Sequence, residues 1–125
     1  MNGAMENKRQ IGEFDRSKFR SAHNDTVLVQ PVFDTLSADD IKPGVLGYTP
    51  CWAMLEPGMT VEAHNHATPE FYVFTNGNGL MSLDGETFEV QEGMAVNIPP
   101  DVVHEVANSD SAAQPLVWLS IGLKV

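Results

Sequence analysis

The sequence predicts an all-β sandwich or barrel, and three observations carry that expectation. Short β-like runs recur at even spacing from Thr26 onward, clusters of Gly, Pro, Asn and Asp separate them, and almost no stretch has helical periodicity. With 125 residues the chain has the length of one ordinary domain, long enough to bury a core without disulfide or metal staples. Any metal is therefore expected to serve function rather than folding.

Residues 1–25 read as a polar N-terminal arm, flexible or docking, and residues 26–125 as the β-barrel domain. The arm holds five of the seven cations, Lys8, Arg9, Arg16, Lys18 and Arg20, and Met5 offers an alternative start. A first β-like run spans 26–33, where Pro31 lacks a donor and so marks an edge or a strand end. Ser37 and Asp40 have helix-start spacing, but Pro43-Gly44 stops the chain within one turn. The remaining expected strands are 45–56, 59–66, 71–75, 80–83, 86–91, 94–98, 103–108 and 116–123. Asp84-Gly85 joins two of them as a two-residue hairpin turn, since glycine tolerates the positive φ that such a turn needs. No internal repeat or low-complexity segment interrupts this pattern.

The formal net charge is −10, and residues 43–123 contain ten Asp and Glu but no Lys or Arg. Such a surface repels phosphate backbones, which argues against nucleic acid and anionic membranes as partners. No apolar run approaches the roughly 18 residues of a membrane span. A single cysteine, Cys51, excludes an intrachain disulfide framework, and the polar N-terminus lacks a signal-peptide pattern, so a cytoplasmic protein is expected.

Three of the four histidines fall in one spaced pattern, Gly58-x5-His64-x-His66-x3-Glu70-x6-Gly77, followed by Gly93-x5-Pro99-x4-His104-x3-Asn108. On an extended strand His64 and His66 point to one face, because side chains alternate with a period of two. A carboxylate from the next segment and an imidazole from a distant strand complete three nitrogen donors and one oxygen donor. That set suits a divalent transition metal with positions left open.

The first pattern resembles cupin motif 1 at every position. The second resembles cupin motif 2, with Gly93, Pro99, His104 and Asn108 matching and Asp101 standing where the family usually has glycine. The 15 residues between the motifs, 78–92, give the compact spacing of small cupins. The resemblance implies a single-domain cupin, a double-stranded β-helix or jelly-roll barrel, with His64, His66, Glu70 and His104 as metal ligands at its mouth. It implies one divalent transition metal, Mn or Fe first, with Ni, Co or Zn as alternatives. Aspartate at 101 bears on turn geometry, because Asp tolerates unusual backbone angles better than most residues. His23, outside both motifs, is expected to be a solvated surface residue.

Alternation extends the reading to the pocket. With Glu70 inward, Tyr72 and Phe74 follow, and with His104 inward so do Val102 and Val106. Tyr72 is then the candidate catalytic acid or hydrogen-bond donor, while Trp52, Met54 and Trp118 are either pocket walls or core. The expected function is a metal-dependent enzyme, a dioxygenase or related lyase, acting on a small organic substrate that chelates through oxygen. The alternative is a metal-bearing ligand-binding or sensor protein without turnover. Small cupins are commonly dimers, so a homodimer is expected, with the 26–33 run adding to a partner's sheet edge. The missing cations point to a neutral, largely apolar ligand, with Arg16 or Arg20 as the only foreseen source of positive charge.

Overall fold

The computed structural model of the protein describes residues 10–125, so residues 1–9, with Met5, Lys8 and Arg9, lie outside the described residues. A single 3-10 turn at Arg16–Lys18, capped by the Asp15 carboxylate, leads into β1 (Arg20–Ala22) and β2 (Val27–Pro31). A one-turn helix, α1 (Ala38–Ile41), follows. As its spacing predicts, Ser37 and Asp40 close a reciprocal capping box at its start. The remaining strands are β3 (Tyr48–Leu55), β4 (Thr60–His64), β5 (Glu70–Asn76), β6 (Asn78–Leu83), β7 (Glu86–Gln91), β8 (Ala95–Ile98), β9 (His104–Ala107) and β10 (Leu116–Leu123).

These strands form two antiparallel sheets, the larger ordered β1-β2-β3-β10-β5-β8 and the smaller β4-β9-β6-β7. Long crossings put β10 between β3 and β5, an all-β arrangement as the strand spacing anticipates and a jelly roll as the cupin resemblance implies. The inner faces close on one core. Leu55, Phe74, Ile98 and Trp118 from the larger sheet pack with Val61, Met81, Val90 and Val106 from the smaller. Each is 3% exposed or less, and burying a side chain of this size stabilises by about 1.5–3 kcal/mol.

Local chemistry explains the strand ends. Asp84 and Gly85 both take positive φ, 51° and 83°, which matches the right-handed twist of β6 and β7. Gly77 can be nothing larger, because a Cβ there would stand 2.5 Å from the Pro115 carbonyl oxygen. The run expected from 45 starts only at Tyr48, since Gly44 and Gly47 turn the chain with φ of 89° and 77°. The run expected from 59 to 66 is cut at His64, so His66 lies beyond the strand in the loop before β5.

One expectation about the N-terminal region changes, and one is narrowed to its docking alternative. Pro31 does end β2, but β2 lies between β1 and β3, so its backbone groups are paired within the chain rather than offered to a partner's edge. The described part of the arm docks on its own barrel. Phe19 is buried with Met54 and Val117, and Phe14 packs edge-on against Phe19 and Trp52 at 5.2 and 5.5 Å between centroids.

Candidate metal centre

Four side chains converge at one end of the barrel. His64 ends β4, Glu70 opens β5, His104 opens β9, and His66 sits in the 65–69 loop. His64 and His104 are cross-strand partners with ring centroids 4.2 Å apart, and His66 lies 5.1 Å from His104. One ligand atom from each of the four lies within 4.8 Å of all the others. Donors bound to a shared ion at about 2.1 Å stand at most about 4.2 Å apart, so small side-chain adjustments close the set.

His66 is thus positioned otherwise than by simple strand alternation. Its carbonyl accepts from Asp101 N at 2.7 Å, and Asn65 Nδ2 donates to the Asp101 carbonyl at 3.3 Å. Asp101 itself takes φ of 65°, filling with aspartate the left-handed position where the motif usually has glycine. The substitution therefore preserves the turn that holds the His66 loop. Asn108 secures the other motif end. It is buried, and its Nδ2 donates to the Leu55 and Gln114 carbonyls, while its backbone carbonyl accepts from Gly58 N.

The tautomers follow from the neighbours. His64 Nδ1 lies 2.9 Å from the Glu62 carbonyl oxygen, His66 Nδ1 2.7 Å from that of Thr68, and His104 Nδ1 2.9 Å from that of Val102. A carbonyl only accepts, so each ring donates from Nδ1, and in its neutral form each presents the Nε2 lone pair to the common centre. Glu70 Oε1 stands 2.9 Å from His66 Nε2 and 3.2 Å from His104 Nε2. The second contact lacks hydrogen-bond alignment, leaving His104 Nε2 a buried nitrogen without a hydrogen-bond partner. Lone pairs of two imidazoles facing a carboxylate oxygen repel unless a cation lies among them. The donor set therefore fits a divalent metal, and these four residues could hold one.

Without an ion, the groups settle their charge among themselves. Burial raises the Glu70 pKa, but the neighbouring His104 and His66 imidazoles, which favour the carboxylate when they carry a proton at Nε2, outweigh it and bring the carboxyl to about 2. Burial alone would lower the His104 pKa, yet the Glu70 carboxylate holds it above the usual histidine value. His64, dominated by burial, is lowered. Ser120 Oγ donates to Glu70 Oε2 at 3.1 Å and orients the second oxygen.

A cavity of about 300 Å³ opens over this cluster. Tyr72 lies at its inner end, 5% exposed, with its ring edge-on to His104. Burial first, and then the nearby Glu70 carboxylate, push its phenol well above the ordinary range. At neutral pH it keeps its proton, which suits a hydrogen-bond donor. Trp118 is a cavity wall, whereas Trp52 and Met54 face the opposite side of the sheet in a groove beside Phe14. Phe74 lies deeper, in the core. Of the two residues expected inward beside His104, Val106 is buried in the core and Val102 lies before the strand, half-buried.

Sequence reasoning missed several cavity residues, His23 and Lys124 among them. His23 is exposed as expected, but its ring stacks on His64 at 4.3 Å and 26°. It is carried there by three successive left-handed residues, His23, Asn24 and Asp25, which no spacing rule announces. Lys124 also lines the cavity. Its signal was available in the parity of the last strand, where 118, 120 and 122 share one face and 124 continues the count one residue past the strand's end. The foreseen cations are elsewhere: Arg16 pairs with Glu56, and Arg20 donates to the Ser17 and Phe19 carbonyls.

Comparison with known proteins agrees with this geometry. A 48-residue stretch is 40% identical to dimethylsulfoniopropionate lyase DddW of Ruegeria pomeroyi, covering 38% of this chain and 32% of that protein. A 57-residue stretch is 40% identical to an uncharacterized protein of Methanocaldococcus jannaschii, covering 45% and 46%. The chain thus spans less than half the length of these relatives. Its fold is similar to that of a Cupin 2 conserved barrel domain protein from Salinispora arenicola, with a TM-score of 0.74 at 21% identity over 95% of this chain and 92% of the other. The profile of the cupin domain matches residues 51–122, more than half the chain and a span that contains both histidine patterns, so the protein belongs to the cupin family.

Proposed function

We propose that the protein is a metal-dependent enzyme acting on a small organic substrate that chelates through oxygen, a lyase or a dioxygenase. The observation that carries the proposal is the convergence of three Nε2 atoms and the Glu70 carboxylate at the base of an open cavity. Similarity to a lyase over 48 residues supports the lyase branch. When bound, a divalent transition metal, Mn or Fe first, supplies Lewis-acid polarisation of a chelated oxygen or a binding position for dioxygen.

The chain's own groups do the rest. His64, His66 and His104 are held in the donor tautomer by backbone carbonyls, and Glu70 lowers the net charge of the centre. Tyr72 keeps its proton and offers a hydrogen bond to an oxygen of the substrate, the role proposed for it in catalysis. Val27, Val29, Val61 and Trp118 exclude water from the substrate's body. We also infer a cytoplasmic homodimer. Half-buried Phe71, Val73, Leu119 and Ile121 on the outer face of β5 and β10 supply an apolar surface for a second copy, and sedimentation of the full chain tests this.

The functional test is metal analysis of untagged protein, followed by screens for oxygen uptake with enols, catechols and keto acids and for cleavage of dimethylsulfoniopropionate. Stoichiometric metal with turnover is expected, and loss of turnover in Tyr72→Phe at unchanged metal content would support the role of Tyr72. Metal with saturable ligand binding but no turnover in any screen would favour the noncatalytic binding protein. Absence of metal after reconstitution would overturn both.

A further inference from the structure

The cavity wall opposite the histidines is polar, and its composition bears on which substrates the site accepts. Across β3, β10 and β5 the backbone register places Thr49, Gly122 and Glu70 in one row, and Cys51, Ser120 and Tyr72 in the next. Side chains in a row share a face. Gly122 leaves its place in the first row open: a Cβ there would meet only the Thr49 carbonyl oxygen, at 3.9 Å. An unfilled lane therefore runs from Glu70 past Gly122. Beyond it, on the same parity of the chain, stands Lys124, fixed by its backbone N–H donating to the Gly47 carbonyl at 2.8 Å.

Lys124 is the cavity's one ammonium among the described residues. Arg16, Lys18 and Lys42 each have a carboxylate within 4.0 Å, whereas Lys124 has no such partner among the described residues. In a chain of net charge −10, an unpaired ammonium at the mouth of the cavity is a local reversal of the field. We propose that Lys124 holds a carboxylate of the substrate, with the rest of the molecule lying along the Gly122 lane and its opposite end reaching the metal centre. The site then selects short carboxylic acids that carry a second, chelating oxygen. Specificity for the acid over its ester comes from Lys124, and selection for short chains comes from the Gly122 lane. This inference rests on the metal-centre reading above and replaces the expectation of a neutral ligand, which was drawn from a cation-free stretch that stops one residue before Lys124.

The test is calorimetry on zinc-loaded protein with glycolate, 3-hydroxypropionate and 4-hydroxybutanoate, each compared with its methyl ester. Wild type is expected to bind at least one acid about tenfold or more tightly than its ester. Lys124→Gln should abolish that preference, and Lys124→Arg should retain most of it. Gly122→Val should weaken acid and ester together. Zinc content is measured on every variant, so failure of the metal centre, seen as protein that takes up no zinc, is distinct from failure of the carboxylate site. Unchanged acid preference in Lys124→Gln would show that the carboxylate goes to the metal and would overturn the proposal, as would equal binding of acid and ester by wild type. Circular dichroism confirms that the variants fold, and Lys124→Met provides a second neutral replacement.

Discussion

The two faces of the larger sheet are built from the same strands yet serve different ends. Along β3 the inward residues Thr49, Cys51 and Ala53 are small or polar and line the cavity, while the outward Trp52 and Met54 are large and lie in the groove beside the arm. Along β10, Ser120 orients Glu70 from the inner face, and Val117 packs with Phe19 on the outer. The inner face keeps space open at one end and closes on the core at the other, whereas the outer face around Trp52, Met54 and Val117 is covered by Phe14 and Phe19, which lie outside the family's matched span. One strand thus lines the cavity and packs against the arm at once, because alternation separates the two sets of side chains by a single residue. The cysteine lies on the inner side of this division: burial raises the pKa of Cys51 and favours the neutral thiol in the cavity wall.

Substitutions can break or sharpen this contrast. The largest effect is expected at the closed end of the inner face: Phe74→Ala, 1% exposed, should cost about 3–5 kcal/mol in urea unfolding. At the open end, His104→Ala should weaken metal binding by at least about 100-fold, about 2.7 kcal/mol, with the β-sheet spectrum retained. Full metal content in that variant would remove His104 from the ligand set. On the outer face, Phe19→Ala should cost about 2 kcal/mol and leave metal affinity unchanged. A simultaneous loss of metal would mean that the two faces are coupled through β3.

A smaller effect is expected from pH. In metal-free protein the Glu70 carboxyl is depressed from 4.5 to about 2, so its contribution to stability is full above 4.5 and is lost as pH falls through about 2. His104, raised above 6.5, contributes fully below 6.5, and that contribution is lost as pH rises through its folded value. Metal-free wild type should therefore melt at its highest temperature in mildly acidic solution. Glu70→Gln should flatten that maximum, and an identical melting profile in the variant would mean that the pair contributes nothing to folding.

Much of the site was legible in one dimension because the ligand spacing encodes how strands and turns succeed one another. His64, His66, Glu70 and His104 do converge, and the Asp84-Gly85 turn and the Ser37 cap form where local chemistry demands them. What stayed hidden depends on neighbours distant in sequence. Both parities of β3 carry apolar groups, so nothing local reveals whether Trp52 or Cys51 faces the cavity. That is settled by pairing with β10 and β2. His23 reaches His64 only because β1 and β2 form a hairpin, with Asn24 donating to Glu62 across the gap to β4.

The sequence by itself determined the fold class, the turns and the composition of the His64, His66, Glu70 and His104 cluster, since strand periodicity, positive-φ glycines and donor chemistry are local properties of the chain. Only the tertiary structure decided which face of each strand meets the cavity, that the arm packs on its own barrel, and that Lys124 and His23 join the site. These are outcomes of sheet order and register. They depend on which strands come together across the whole chain, and a period of two leaves two parities to choose from until that pairing is made.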